Sequence, residues 1–163
     1  MLLILVDIKP ENILWLEGSC IFTGFGISQQ FSESEGFTTY AVAPPRTPRY
    51  CPPEANNETE RNDKSDVFSL GCVFYEILST LYPEQIRFLP NNQCYHQHIE
   101  HIQDHLQKAA PNDSRSPYRC CMLMIHEEKE SRITSTQLVS WLAEANRPRF
   151  FCDACRKASP PAR

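Results

Sequence analysis

The chain has 163 residues, of which 41% are apolar and 22% charged, and its formal net charge is −4. This length suits a single domain with a hydrophobic core. The chain has 16 basic and 20 acidic residues and no basic cluster, which argues against nucleic-acid binding. No apolar run approaches the roughly 20 residues of a membrane span, and the apolar start at 1–6 is too short for an export signal. We therefore expect an intracellular protein with neither a membrane nor a nucleic-acid partner.

The first predicted element is a short β-hairpin. Apolar runs at 13–16 and 20–23 flank the sequence Glu-Gly-Ser, which is typical of a turn. Residues 24–54 follow with no sustained period and many Ser, Thr, Gly and Pro residues. A segment of this length without regular structure is usually a functional loop or a disordered one, and composition alone does not choose between them.

The second half of the chain predicts helices. The clearest, at 65–81, is apolar on nearly every face and is therefore expected at the centre of the domain. An amphipathic helix is expected at 96–108 and a short one at 117–126, and Thr-Ser-Thr-Gln at 134–137 is a capping-box start for the last helix. Together these elements predict a mainly α (α+β) domain over residues 1–145, followed by a disordered tail at 146–163.

Residues 7–12 read Asp-Ile-Lys-Pro-Glu-Asn. An Asp, a Lys and an Asn in this spacing resemble the catalytic loop of protein kinases. The resemblance implies that Asp7 accepts the hydrogen bond of a substrate hydroxyl, that Lys9 reaches the transferred phosphate and that Asn12 holds Mg²⁺. Phosphoryl transfer is mostly positioning and charge neutralisation, so these three groups must converge on one point.

Four further motifs follow in the order and spacing of a kinase. They are Gly-Phe-Gly at 24–26, the end of an activation segment at 47–54, the start of a central helix at 66–72, and Glu-Ser-Arg at 130–132. The chain thus resembles the C-terminal lobe of a protein kinase over roughly residues 5–145. The lysine in the loop at 7–12 is typical of Ser/Thr kinases. The sequences at 7–14 and 47–55 look most similar to Ser/Thr kinase-like proteins of filamentous fungi.

The resemblance also assigns supporting roles. Thr47 would lie beside the catalytic Asp7 as a substrate-docking residue, and the alternative is an ordinary turn threonine. Glu54 and Arg132 would form a structural ion pair, and the alternative is two unrelated surface charges. Asp66 would brace the catalytic loop, and the alternative is a plain acid favourable to the dipole at a helix start.

Several departures bear on activity. Gly24 stands where kinases have the Asp that binds the Mg²⁺ bridging the nucleotide phosphates, which leaves Asn12 as a neutral, single-oxygen ligand. Leu-Val at 5–6 replaces the His-Arg that precedes the catalytic Asp, so a phosphate switch in the activation loop, at Ser32, Thr38 or Thr39, lacks its cationic partner. Only six residues precede Asp7, so we expect the small lobe, with its Gly-rich loop and lysine, to be missing. ATP and Mg²⁺ are cofactors of the family, and we expect this chain not to bind them productively.

Three functional hypotheses follow. The first is a catalytically inactive pseudokinase fragment, Ser/Thr kinase-like by descent. The second is a two-lobed kinase whose gene model is truncated. The third is a module that binds a protein partner through the docking surface at 46–55 and the helix at 96–108. In each of them the partner is a protein. Since the helix at 65–81 would expose apolar side chains to solvent along one flank, we also expect the chain alone to be marginally stable, prone to aggregation, or folded only with a partner.

Two patterns resemble metal-binding sites, but each has a simpler interpretation. His98, His101 and His105 share one helical face, but a solvated polar face is favoured. Cys152 and Cys155 are half of a zinc site with no second pair at the required spacing, and a coincidental pair in a tail is favoured. We expect reduced thiols among the eight cysteines, because no export signal is present.

Overall fold

The computed structural model describes residues 2–4, 7–24, 29–31, 47–57, 63–110 and 116–144. Within these ranges the helices are α1 (Pro53–Asn57), α2 (Asp63–Leu81), α3 (Ile99–Ala109), α4 (Pro117–Met124) and α5 (Ser135–Glu144). The strands are β1 (Leu2–Ile4), β2 (Ile13–Leu16), β3 (Ser19–Phe22) and β4 (Gln29–Phe31), and they form two antiparallel pairs, β1 with β4 and β2 with β3. The prediction of a mainly α (α+β) architecture is confirmed.

Helix α2 lies at the centre of the core, as its apolar faces predict. Its buried apolar side chains are Val67, Phe68, Cys72, Val73, Tyr75 and Leu78. It packs against both α4 and α5. At Gly71 the contact with α4 is so close that an added Cβ would lie 2.8 Å from the Met124 Cβ and 2.9 Å from the Ile125 Cγ1. A larger residue at this position would therefore push the two helices apart.

One flank of α2 is exposed. Ile77 is 49% and Leu81 63% accessible to solvent, and Phe88 in the following loop is 49% accessible. These side chains line an apolar groove, to which Pro10 and Ile13 also contribute. The predicted solvent-exposed apolar flank of the central helix is therefore present at Ile77 and Leu81.

The predicted hairpin is confirmed, with Ile13 opposite Phe22 and Leu16 opposite Ser19. Its turn places Glu17 at φ 50° and Gly18 at φ 81°, the pair of positive values that a two-residue type I′ turn requires. A glycine at the second position accepts this conformation without steric cost.

The helical predictions hold with shifts at the ends. Thr134 Oγ1 accepts a hydrogen bond from the Gln137 amide at 3.1 Å, and Gln137 Oε1 accepts one from the Thr134 amide at 2.9 Å, so the predicted capping box is confirmed. The helix expected at 96–108 begins later, at Ile99, because 95–97 form a 3₁₀ turn and His98 leaves the helical region at φ −128°, ψ 19°.

The interpretation of 24–54 as a segment without regular structure is wrong in three places. Residues 29–31 are a strand, 48–50 form a 3₁₀ turn and α1 begins at Pro53. Tertiary pairing and anchoring supply what the local sequence lacks.

Other predictions lie outside the described residues. They concern the tail at 146–163, Cys152 and Cys155, and the hydroxyls of Ser32, Thr38 and Thr39. In the part of the chain that the structure describes, no helix is long and apolar enough to cross a membrane.

Candidate functional site

Asp7, Lys9 and Thr47 meet in one polar cluster. Lys9 Nζ lies 2.7 Å from Asp7 Oδ2 and donates a hydrogen bond to Thr47 Oγ1 at 2.8 Å. The Thr47 amide lies 3.4 Å from Asp7 Oδ1, so it closes the triangle with a long hydrogen bond. The Lys9 and Asp7 side chains are 24% and 15% accessible, so the cluster is partly exposed to solvent.

Alternation along an extended stretch of backbone produces this arrangement. Ile8 is buried in the main core, while Asp7 and Lys9 on either side of it belong to the opposite face. Lys9 is fully extended at φ −157°, ψ 162°, and the 3₁₀ turn Pro10–Asn12 follows directly. Hydrogen bonds from the Asn12 amide to the Lys9 carbonyl at 3.0 Å and from the Thr23 amide to the Asn12 carbonyl at 2.8 Å tie the loop to the hairpin.

Asn12 is held against Asp7 through its amide nitrogen. Its Nδ2 donates to the Asp7 carbonyl oxygen at 2.8 Å and lies 3.3 Å from Asp7 Oδ2. Gly24, at φ 79°, lies close to the same amide. A Cβ added at Gly24 would come within 2.7 Å of Asn12 Nδ2 and 2.8 Å of its Cγ. Position 24 therefore has backbone in contact with Asn12 but no side chain to offer.

The donor set beside Asn12 does not fit Mg²⁺. That ion requires octahedral oxygen ligands and is bound in proteins through one or two carboxylates and the phosphates of its substrate. Here the Asp7 carboxylate is paired with Lys9, the Asn12 nitrogen is turned to Asp7, and Gly24 brings no carboxylate. Among the described residues no group of three or more His, Cys, Asp or Glu side chains is suited to a metal ion.

Arg49, which the sequence argument did not single out, is the most heavily bonded side chain beside the site. Its guanidinium donates to Glu76 Oε1 from Nε at 3.2 Å and from Nη2 at 3.1 Å. It also donates to Tyr95 Oη at 3.0 Å and, at 2.6–2.8 Å, to three backbone carbonyls of the loop after α2, those of Leu89, Pro90 and Gln93. Its side chain is only 11% accessible.

Glu76 is the acceptor at the centre of this network. It receives hydrogen bonds from the hydroxyls of Tyr50 at 3.0 Å and Tyr95 at 2.7 Å, as well as from Arg49. Burial raises the pKa values of both tyrosines, and the nearby Glu76 charge raises them further, so both stay protonated donors. One signal was available in the sequence, since Glu76 is an acid in the middle of the apolar run that follows Asp66, and an acid there needs a partner.

Glu54 and Arg132 form the predicted ion pair. Arg132 Nη1 lies 2.8 Å from Glu54 Oε1 and its Nη2 lies 3.1 Å from Oε2, a bidentate arrangement, and the Arg132 side chain is fully buried. It also donates to the carbonyls of Lys64 and His126, both at 2.9 Å. Burial opposes ionisation of Glu54, but the hydrogen bonds and charge of Arg132 outweigh it and lower the pKa of Glu54.

Two further predicted groups stand on helices α2 and α3. Asp66 is half-buried in the first turn of α2, and its bracing role stays a prediction. The His101 and His105 rings are 4.0 Å apart, between centroids, and His105 Nδ1 lies 3.3 Å from Tyr75 Oη. Since that hydroxyl donates to the Arg87 carbonyl at 2.9 Å, His105 Nδ1 is the donor to it.

A family model places these motifs in context. The model described as the protein kinase domain matches residues 2–142, which is most of the chain. The chain belongs to the protein kinase family. Membership of this family accounts for the order along the chain of the motifs that carry Asp7, Lys9, Asn12 and Thr47.

Curated relatives agree with this assignment. The chain is 38% identical over 74 residues to the serine/threonine-protein kinase nekl-2 of Caenorhabditis elegans, covering 44% of this chain and 20% of the relative. It is 38% identical over 78 residues to the G2-specific protein kinase fin1 of Schizosaccharomyces pombe, covering 47% and 10%. It is 34% identical over 79 residues to the human serine/threonine-protein kinase Nek2, covering 47% and 17%. The matched part thus spans a fifth or less of each of these relatives, and the likeness to proteins of filamentous fungi stays a prediction.

Proposed function

We propose that this chain is a pseudokinase of Ser/Thr kinase descent, which binds a protein segment and does not transfer phosphate to it. The observation that carries the proposal is Gly24. It stands where the family has a magnesium-binding carboxylate, and its backbone is packed against Asn12 with no room for a side chain as Asn12 now lies. The charge that neutralises a nucleotide's phosphates has no source at this position.

The binding half of the proposal rests on the Asp7, Lys9 and Thr47 cluster. Asp7 presents a carboxylate that can accept a hydrogen bond from a serine or threonine hydroxyl, and Lys9 holds it in place at 2.7 Å. Thr47 begins the docking segment, defined here as residues 47–55. This segment is anchored by Arg49 at one end and by Glu54 at the other, so its surface is rigid before a partner arrives.

A second candidate is a two-lobed kinase of which this chain is one part. The hairpin favours it, because Leu14, Trp15 and Leu16 are 52%, 72% and 57% accessible. Adjacent large apolar side chains of this kind mark a surface that another element covers. The curated relatives are also several times longer than the matched segment. Even so, Gly24 would lack the magnesium carboxylate in the longer protein, so this candidate differs in architecture more than in chemistry.

Phosphoryl transfer from radiolabelled ATP with Mg²⁺ to casein tests the proposal directly. The full chain and Asp7→Asn should give the same background incorporation. Label above background that disappears in Asp7→Asn would overturn the pseudokinase proposal. Reading the transcript upstream of Met1 in frame tests the second candidate, since a glycine-rich loop followed by a strand lysine is the expected result for a two-lobed kinase.

The binding half needs its own test. Short peptides with a single central serine, and matched peptides with alanine at that position, are titrated against the full chain by calorimetry. Selective binding of the serine peptides supports the proposal, and binding that ignores the hydroxyl contradicts it. Lys9→Met should weaken the serine peptides selectively, whereas the control Arg119→Met removes an exposed cation of α4, outside the docking segment and outside α3, and should change nothing.

A further inference from the structure

Near its start the docking segment is attached to helix α2 by two side chains of one turn, since both Arg49 and the Tyr50 hydroxyl bond Glu76, and Arg49 alone also bonds the loop after α2. Arg49 is two residues from Thr47 and lies inside the same 3₁₀ turn, Pro48–Tyr50, for which Thr47 is the N-terminal cap. Backbone hydrogen bonds from Tyr50 to Thr47 and from Cys51 to Pro48, both at 3.2 Å, make the turn a unit. When Arg49 is fixed, the position of Thr47 is fixed with it.

Arg49 is itself fixed from three directions. Glu76 holds it from helix α2, and backbone carbonyls at 89, 90 and 93 hold it from the loop after that helix. Aromatic rings close the remaining sides, with the guanidinium carbon 4.6 Å from the Tyr95 ring centroid and 5.6 Å from that of Phe88. A planar fork of five donors meets this set of acceptors, which a lysine ammonium cannot do.

Thr47 in turn sets the geometry of the polar cluster. Its hydroxyl receives the Lys9 ammonium at 2.8 Å and its amide faces Asp7 Oδ1 at 3.4 Å. The hydrogen bond at 3.4 Å is long, so a small displacement of the turn is enough to lose it. The path from Glu76 to Asp7 therefore has three steps: Glu76 bonds Arg49, Arg49 shares the 3₁₀ turn with Thr47, and the Thr47 amide faces Asp7.

We propose that Arg49 is a positioning residue, which fixes the Thr47 hydroxyl and amide against the Asp7–Lys9 pair and so sets the affinity of the docking segment for a hydroxyl-bearing peptide. The second clause rests on the proposed function, while the first is independent of it. Ser69 and His96 also touch the segment, since Ser69 Oγ donates to the Tyr50 carbonyl at 2.9 Å and His96 Nδ1 lies 3.2 Å from the Cys51 carbonyl. Both of these contacts lie on the C-terminal side of Arg49, further from Thr47.

Amide relaxation by NMR on the full chain tests the first clause. In the wild type the Thr47 amide should have an order parameter near 0.85, typical of rigid backbone, and in Arg49→Met it should fall below about 0.6. The Leu138 amide, which bonds the Thr134 carbonyl at 2.8 Å in the last helix, is an internal reference and should not change. Lys108→Met is the matched control for loss of a cation.

Arg49→Lys keeps the result interpretable should Arg49→Met fail to fold. It retains the charge opposite Glu76 but loses most of the carbonyl contacts, so Thr47 should still become more mobile while the Leu138 reference stays rigid. An unchanged Thr47 order parameter in a folded Arg49→Met or Arg49→Lys chain would overturn the positioning role. Equal loss of order at Thr47 and Leu138 would also overturn it, because Arg49 would then be a general stabiliser.

Peptide titration tests the second clause. The affinity for serine-centred peptides should fall at least about tenfold in Arg49→Met and recover in part in Arg49→Lys. If the wild type binds no serine peptide, the proposed function fails while the NMR result still decides the positioning role. If Thr47 becomes mobile but affinity is unchanged, the second clause alone is wrong.

Discussion

The two sides of the loop at residues 7–12 differ in how many contacts hold them. One side, the docking side, faces Thr47, and the other, the nucleotide side, faces Gly24. On the docking side, Asp7 and Lys9 join Thr47, whose segment is anchored by two Arg–Glu pairs with little solvent exposure, Arg49 with Glu76 and Arg132 with Glu54. On the nucleotide side, Asn12 faces Gly24, which has no side chain, and the hairpin that follows is apolar and exposed. The difference shows that a kinase-family chain can keep the Asp7–Lys9–Thr47 cluster and its anchoring network while position 24 has no carboxylate.

Breaking the ion pair between Arg132 and Glu54 should have the largest effect on stability. Arg132→Met leaves the Glu54 carboxylate buried without its partner, which should cost about 3–5 kcal/mol of free energy of unfolding. Urea unfolding of the full chain measures this loss, with Lys108→Met as the exposed control. A cost for Arg132→Met no greater than for the control would contradict the account of the docking side.

The nucleotide side should resist the addition of any side chain. Gly18 and Gly24 share nearly the same backbone conformation, φ 81° and φ 79°, but a Cβ at Gly18 meets nothing within 4 Å. Gly18→Ala should therefore cost only the left-handed backbone strain, about 1–2 kcal/mol. Gly24→Ala adds overlap with Asn12 and should cost at least about 1 kcal/mol more in the same urea experiment. Equal costs would show that Asn12 moves aside freely and that the site has room for a carboxylate.

The Glu54 pair should also make stability depend on pH. Arg132 lowers the pKa of Glu54 in the folded state despite burial, so the unfolded chain takes up the proton first as the pH falls. The stabilisation is complete above the ordinary pKa and is lost as the pH drops through the lowered value. Unfolding measured between about pH 6 and pH 3 should show a steeper loss for the wild type than for Glu54→Gln. The exposed control Glu84→Gln should keep the wild-type slope, and a wild-type slope in Glu54→Gln would contradict the assignment.

The smallest effect should come from Thr47 itself. Thr47→Val removes the acceptor for Lys9 but keeps the shape of the side chain, so serine-peptide affinity should fall about two- to tenfold. Thr136→Val, at an exposed position on the last helix, is the matched control and should bind as the wild type does. Affinity that is unchanged in Thr47→Val would remove Thr47 from the docking surface.

Much of this arrangement could be predicted from sequence, for identifiable reasons. The apolar faces of 65–81 predict a central helix, and Thr134 with Gln137 predicts a helix start, because both signals are local. The pairing of Glu54 with Arg132 came through family resemblance and is present in the structure. Strand β4 could not be predicted, since residues 29–31 become a strand only by pairing with β1.

Arg49 shows why the rest was out of reach. Its importance comes from carbonyls that are 40 to 44 residues away in the chain and belong to a loop with no periodic pattern. A single arginine between a proline and a tyrosine carries no local sign of such partners. The packing of Asn12 against Gly24 likewise depends on a positive φ that only the folded chain reveals.

The most direct test of the difference between the two sides is the affinity of the full chain for a serine-centred peptide, measured by calorimetry with and without ATP and Mg²⁺. We expect the peptide to bind with the same affinity in both conditions, because Asp7, Lys9 and Thr47 are held together while position 24 lacks the carboxylate for Mg²⁺. Failure of the peptide to bind, or an affinity that changes when ATP and Mg²⁺ are added, would contradict it.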